Sequence, residues 1–193
     1  REQRIRRKAG KNKEKNRMKN DTIIIYSSKT GFTKRYAQWI SEALSCECVE
    51  VEKAGKLDFS SYTTIIFGGW VLGGTLMKAD WVKNHLEQWK NKRIAAFSVG
   101  GSRMEDIRID AILEASFTPE ERDKITMFYC PGGINYEKMG LMFKFMLKMI
   151  YKSLKAKECK TEEEKNRVEM LAKSSDISDK KYIEPIVAWA KQY

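Results

Sequence analysis

The 193-residue sequence predicts an α/β fold: a doubly wound, five-stranded parallel sheet in the order 2-1-3-4-5, with helices on both faces. Short apolar runs rich in β-branched residues alternate with segments whose apolar residues recur every three or four positions, as strands alternate with helices packed on them. The first and third runs are almost wholly apolar and belong in the middle of a sheet, whereas the second alternates and belongs at an edge. Right-handed crossovers then reverse the chain's direction across the sheet between strands 1 and 3. Their ends become neighbours at the switch point where ligands of such sheets bind.

The first strand is "TIIIY" (22–26), and "SSKTGFT" (27–33) leads from it into a helix over 32–44. "CECVEVE" (46–52) is the edge strand, with one face in water. "TTIIFG" (63–68) is the third strand and ends in the glycine-rich "GGWVLGG" (68–74); a helix over 78–89 follows. "RIAAFSV" (93–99) is the fourth strand, running into "SVGGS" (98–102), and a helix spans 105–117. Its start carries capping-box spacing at Ser102 and Glu105; Thr118 with Glu121, and Thr161 with Glu164, repeat that spacing, and Pro119 suits a first helical position. "ITMFYC" (125–130) is the fifth strand, and a basic amphipathic helix is predicted at about 136–157. The final helix, "YIEPIVAWAKQY" (182–193), turns Ile183, Ile186, Val187 and Ala190 inward, with Pro185 tolerated only near its first turn.

Composition bounds the rest: 42% hydrophobic and 33% charged residues with three prolines describe a globular chain, and its length suits one domain, taken as 18–193. Residues 1–17 hold nine Lys/Arg and two Glu, so this leader carries +7 of the net +11. It reads as a flexible addition ahead of a natural start at Met18, or else as a solvated tail for nucleic acid or anionic lipid. The leader has no aromatic residue to stack on bases, so nucleic acid is not the expected partner. Cys46, Cys48, Cys130 and Cys159 lack metal-site or disulfide-framework spacing, which points to a reducing, cytoplasmic compartment and no metal. No apolar run approaches the roughly 18–20 residues that cross a bilayer.

The turn "SSKTGFT" stands where a helix begins, and the first amides of a helix lack internal partners and carry the positive end of its dipole. Those amides, the hydroxyls of Ser28, Thr30 and Thr33, and the freedom of Gly31 would enclose a phosphate. A capped strand-to-helix turn uses the same residues. The spacing matches neither the triphosphate loop nor the dinucleotide fingerprint, so a single phosphate is expected.

The form S-x-T-G-x-T resembles the phosphate loop of flavodoxins, and the resemblance runs from about Thr22 onward. It implies a flavodoxin-like fold holding FMN without a covalent link, with Ser27, Ser28, Lys29, Thr30, Gly31, Phe32 and Thr33 around the phosphate. "GGWVLGG" is similar to the second flavodoxin loop, which implies Gly69, Trp70, Val71, Leu72 and Gly73 beside the isoalloxazine ring. Trp70 either stacks on the ring or packs beneath the loop. "SVGGS" resembles the third loop, placing Ser98, Val99, Gly100 and Gly101 at the ring's polar edge. Electron transfer through the flavin needs no catalytic acid or base, and the single His85 is expected on a solvated helix face.

The chain departs from acidic electron carriers in staying basic without its leader. "CPGGINYEKMGLMFKFMLKMIYKSLKAK" resembles the insertion of quinone-dependent protoporphyrinogen dehydrogenases, which implies a quinone or another small-molecule substrate, or a redox partner protein. Met139, Met142, Met146 and Met149, with Phe143, Leu147 and Ile150, are expected on one face. Lys144, Lys148, Lys152 and Lys155 form another stripe. Between Lys138 and Lys157 lie six lysines and no acid. Such a helix fits an anionic membrane surface on the inner face of the membrane, or a core-facing helix whose lysine stems snorkel to water. A flavin-free protein binding anionic lipid or nucleic acid is the alternative of a different class.

Overall fold

The structure, a computed structural model, describes residues 21–156, 161, 168–169 and 171–192. β1 (Thr22–Tyr26) pairs in parallel with β2 (Glu47–Glu50) on one side and β3 (Thr64–Leu72) on the other. β5 (Arg93–Gly100) and β6 (Ile125–Pro131) extend the sheet beyond β3, giving the order β2-β1-β3-β5-β6. The five long strands thus take the predicted order. Ile23, Ile24 and Ile25 have no exposure, because helices cover both faces of the central strand. Burying such a side chain contributes roughly 1.5–3 kcal/mol.

One face carries Ile24, Ile66, Ala95 and Phe97 beneath α1 (Phe32–Leu44), whose Phe32, Tyr36, Ala37 and Ile40 recur at helical spacing. α7 (Glu184–Ala190) completes that layer through Ile186. The other face packs Ile23, Ile65, Phe67 and Ile94 under α2 (Val51–Ala54), α3 (Ala79–Lys83) and α4 (Ile109–Ser116).

The structure moves several predicted boundaries. The second strand stops at Glu50 because Val51 and Ala54, three apart, are buried together in the single turn of α2. The glycine-rich stretch at 68–74 is a hairpin rather than a loop: β3 runs on to Leu72 and folds back onto β4 (Thr75–Leu76). Gly73 and Gly74 both have positive φ, 59° and 82°, as a tight two-residue connection demands. The helix predicted over 78–89 survives as α3 followed by turns. His85 Nδ1 lies 2.7 Å from the Trp81 carbonyl, the acceptor a continuing helix would use, and the His85 amide bonds to Val82 instead. His85 is therefore not solvated: it is half-buried, its ring 4.2 Å from that of Trp81 and 5.2 Å from that of Trp89.

The helix predicted from 105 begins at Ile109, after a 3₁₀ turn over Met104–Asp106 pinned by Arg103 to Asp106. Ser102 does not cap it. The Thr118–Glu121 capping box is present at α5 (Pro119–Arg122), whereas the residues after Thr161 that would complete the third box lie outside the described residues. Residues 1–17 lie outside them too.

After β6 the chain forms β7 (Gly133–Ile134), then α6 (Leu141–Lys155), and returns through β8 (Ser175–Asp176), which pairs antiparallel with β7. Arg35 of α1 donates to Asp176 at 2.5 Å and to Ser178 at 2.6 Å, so the returning strand is fastened to the helix that follows the turn after β1. Tyr36 reinforces this by donating to the Pro131 carbonyl and accepting from the Asp179 amide. No helix among the described residues is long and apolar enough to cross a membrane.

Candidate functional site

The turn after β1 is held by the sheet. The Ser27 amide donates to the Gly68 carbonyl at 2.8 Å, and its side chain is buried, so Ser27 is framework. Gly31 has φ 101°, a conformation other residues adopt only with strain, and α1 begins at the next residue. The first α-helical bond runs from the Arg35 amide to the Gly31 carbonyl, which leaves the amides of 32–34 without helical acceptors. No acidic residue stands in that first turn. Ser28 Oγ is buried without a hydrogen-bond partner among the described residues. An orphaned hydroxyl beside open amides has the donor chemistry of an anion cradle.

Two further segments close in on this turn. The β3–β4 hairpin presents Trp70, Val71 and Leu72, all half-buried, and the Met77 amide bonds back to the Trp70 carbonyl at 2.9 Å. The end of β5 is fixed by the Gly132 amide donating to Gly100 at 2.7 Å and by Tyr129 Oη donating to the Ser102 carbonyl at 2.8 Å. Burial pushes the Tyr129 hydroxyl well above its ordinary range, so it stays a neutral donor there. α6 forms the roof, with Phe143, Met146, Leu147, Ile150 and Leu154 turned down. Trp70 meets Phe143 edge-on at 5.6 Å, and the Lys29 ammonium stands 5.5 Å over the same ring. The cavity, partly open to solvent, measures about 470 Å³, within the roughly 300–1,000 Å³ of small-molecule sites.

Of the residues singled out from sequence, Lys29, Thr30, Phe32, Thr33, Trp70, Val71, Leu72, Gly73, Val99, Gly100 and Gly101 line this cavity. Ser27, Ser28, Gly31, Gly69 and Ser98 do not. Ser98 is fully buried and its hydroxyl bonds to the Phe128 carbonyl at 3.2 Å, tying β5 to β6. Gly69 makes room for β4: a Cβ there would come within 2.6 Å of Leu76 Cδ1.

The sequence profile of the family described as "Flavodoxin domain" matches residues 23–161, which span all three segments. The chain belongs to the flavodoxin-domain family. No curated protein sequence matches it significantly. This flavodoxin domain is similar in structure to a WrbA-like flavodoxin from Agrobacterium tumefaciens, with 16% identity, 62% of this chain and 87% of that one covered, and a TM-score of 0.43. It is similar to a flavoprotein from Lactobacillus acidophilus, solved in complex with FMN, at 20% identity, 56% and 90% coverage, and a TM-score of 0.40. Rubredoxin:oxygen oxidoreductase from Desulfovibrio gigas aligns over 91% of this chain but 37% of its own, at 13% identity and a TM-score of 0.42. At these identities the likeness is one of fold alone.

The cavity of this flavodoxin domain has walls that sequence reasoning missed. Tyr129, Ile134, Val168 and Leu171 reach it from β6, β7 and the returning chain, and the pairing of β7 with β8, which brings the returning chain beside Ile134, is not written in any local pattern. The methionines also divide. Met139 and Met146 line the cavity, whereas Met142 and Met149 point away, 76% and 53% exposed. Their apolar arc on α6 exceeds what one contact face can cover, so its flank is left in solvent with Leu141 and Phe145.

Proposed function

We propose that this flavodoxin domain is an FMN-binding redox protein that transfers electrons through a non-covalently held flavin. The observation that carries the proposal is the orphaned Ser28 hydroxyl and open α1 amides beside a cavity walled by Trp70. When bound, the flavin supplies reversible electron transfer. The chain's own part is to hold and orient. Ser28, Thr30 and the amides of 32–34 suit the phosphate, Trp70, Val71 and Leu72 offer a flat apolar wall, and the backbone at Gly100 and Gly101 supports the polar edge. Phe143 and its neighbours on α6 exclude water from above. FMN titration tests this: flavin fluorescence should be quenched in a saturable 1:1 manner, and Trp70→Ala should weaken binding about tenfold or more. A titration without quenching would refute it.

A second, finer reading makes the protein a quinone-dependent protoporphyrinogen dehydrogenase of haem biosynthesis at the cytoplasmic face of a membrane. It is favoured by the apolar roof that α6 adds to the cavity and by that helix's outer flank. There Leu141, Met142 and Phe145 are 84%, 76% and 67% exposed beside Lys148 and Lys152. Exposed apolar side chains flanked by lysines match an anionic bilayer interface. Changing Lys144, Lys148 and Lys152 to Glu should abolish binding to phosphatidylserine-containing vesicles, and the wild-type gene should rescue a strain lacking the oxidase. Failure of both would remove this reading and leave the redox proposal intact.

A further inference from the structure

We infer that Lys138 is a ligand for the cofactor phosphate, delivered to the turn after β1 by the segment that precedes α6; this rests on the proposed FMN site. A Cβ built on Gly31 would lie 3.8 Å from Lys138 Nζ, so the ammonium sits at the residue whose positive φ opens α1. It arrives from 107 positions away in the sequence and is absent from every local pattern around "SSKTGFT".

The charges around the turn are of one sign. The turn over 27–33 contains Lys29 and no acidic residue, the helix start adds a partial positive charge, and Lys138 adds a second full one. Among the described residues, Lys138 forms no ion pair. Its neighbour Glu137 is engaged elsewhere, its carboxylate accepting from Ser174 Oγ at 2.8 Å. Lys29 leans its ammonium over Phe143 instead of over the turn, leaving Lys138 as the cation nearest Gly31. A phosphate dianion at the α1 amides and Ser28 Oγ would satisfy all of these groups together.

The lysine is also presented by a braced turn. The Lys138 amide donates to Asn135 Oδ1 at 3.0 Å, and the Tyr136 amide and hydroxyl donate to Ser174 Oγ and to the Leu171 carbonyl. β7, just before this segment, pairs with β8, so the segment is tied to the returning chain. Cofactor phosphate would therefore bridge the turn and the segment carrying α6, and a flavin without phosphate would lack that bridge.

The test compares dissociation constants of FMN and riboflavin, read by flavin fluorescence, for wild type, Lys138→Gln and Lys138→Arg. Lys138→Gln should weaken FMN roughly two- to fivefold, the range for an exposed charge pair, with riboflavin unchanged and Lys138→Arg near wild type. Added salt should weaken FMN more in wild type than in Lys138→Gln. Unchanged FMN binding in Lys138→Gln, equal loss for both flavins, or an identical salt response would overturn the assignment while leaving the FMN site standing. If wild type binds neither flavin, the proposed function falls and the assignment falls with it.

Discussion

Gly68 lies buried in β3 at the level of Phe97 on β5, and Phe97 fills the space a side chain at 68 would occupy. A Cβ built there would fall 2.6 Å from Phe97 Cε1, 2.8 Å from Cε2 and closer still to Cζ. The ring has no exposure and is hemmed in by the α1 layer, so it cannot swing aside without displacing its neighbours. Overpacking of this kind costs about 1–3 kcal/mol, and the ring's confinement argues for the upper half. The restriction that alanine places on the unfolded chain offsets about 0.4–1 kcal/mol of this. Gly68→Ala should therefore lose about 2 kcal/mol, which lowers Tm by about 4–8 °C in a domain of this size. Thermal unfolding followed by far-ultraviolet circular dichroism reads it, and urea unfolding should show a lower midpoint at unchanged slope. Phe97→Leu in the same chain should recover part of the loss, since the two positions share one space. A Gly68→Ala protein melting within about 1 °C of wild type, or costs that add in full, would refute this account of the close approach.

Two pH effects follow from buried and paired groups. Burial, with Cys48 next in effect, pushes the Cys46 thiol up to about 12, and burial pushes Cys48 up to about 11. Both should alkylate at least tenfold more slowly at pH 8 than an unfolded thiol. Their contribution to stability is complete below an unfolded thiol's value near 8.5–9 and is lost as pH rises toward 11–12, so unfolding at pH 10 should need less urea than at pH 7. Rapid labelling of the native protein at pH 8 would contradict this. Burial opposes ionisation of Asp176, but hydrogen bonds from Ser178 and Arg35 prevail and hold its carboxyl below the usual value. Its stabilisation is present above about pH 4 and lost as pH falls through the carboxylate range. Asp176→Asn should cost no more than about 1 kcal/mol at pH 7, the pair being half exposed, and progressively less as pH falls through the carboxylate range; a difference independent of pH would show that the carboxylate's bonds to Ser178 and Arg35 are not the cause.

The sheet was legible because its signals are local. "TIIIY" and "FTKRYAQWISEAL" coincide with β1 and α1, since each satisfies one period over its whole length. The hairpin at 69–76 was legible in principle, as Gly73–Gly74 is the signature of a two-residue connection, but the four glycines around Trp70 read as one irregular loop. The short helix at 79–83 was not legible, because a single imidazole competing for the Trp81 carbonyl outweighs an apolar spacing that suits helix throughout. The cavity divides the same way. Its sheet-edge half lies in three motifs, whereas its roof depends on the distant pairing of Gly133 with Asp176 and on Arg35 reaching Asp176. Lys138 belongs to that second half.

A crystal structure of the protein soaked or grown with FMN tests the central claim most directly. The phosphate should lie on the amides of 32–34 and Ser28 Oγ, with the isoalloxazine ring against Trp70 and under Phe143. Density for FMN elsewhere, or a cavity closed by α6 side chains at saturating FMN, would contradict it.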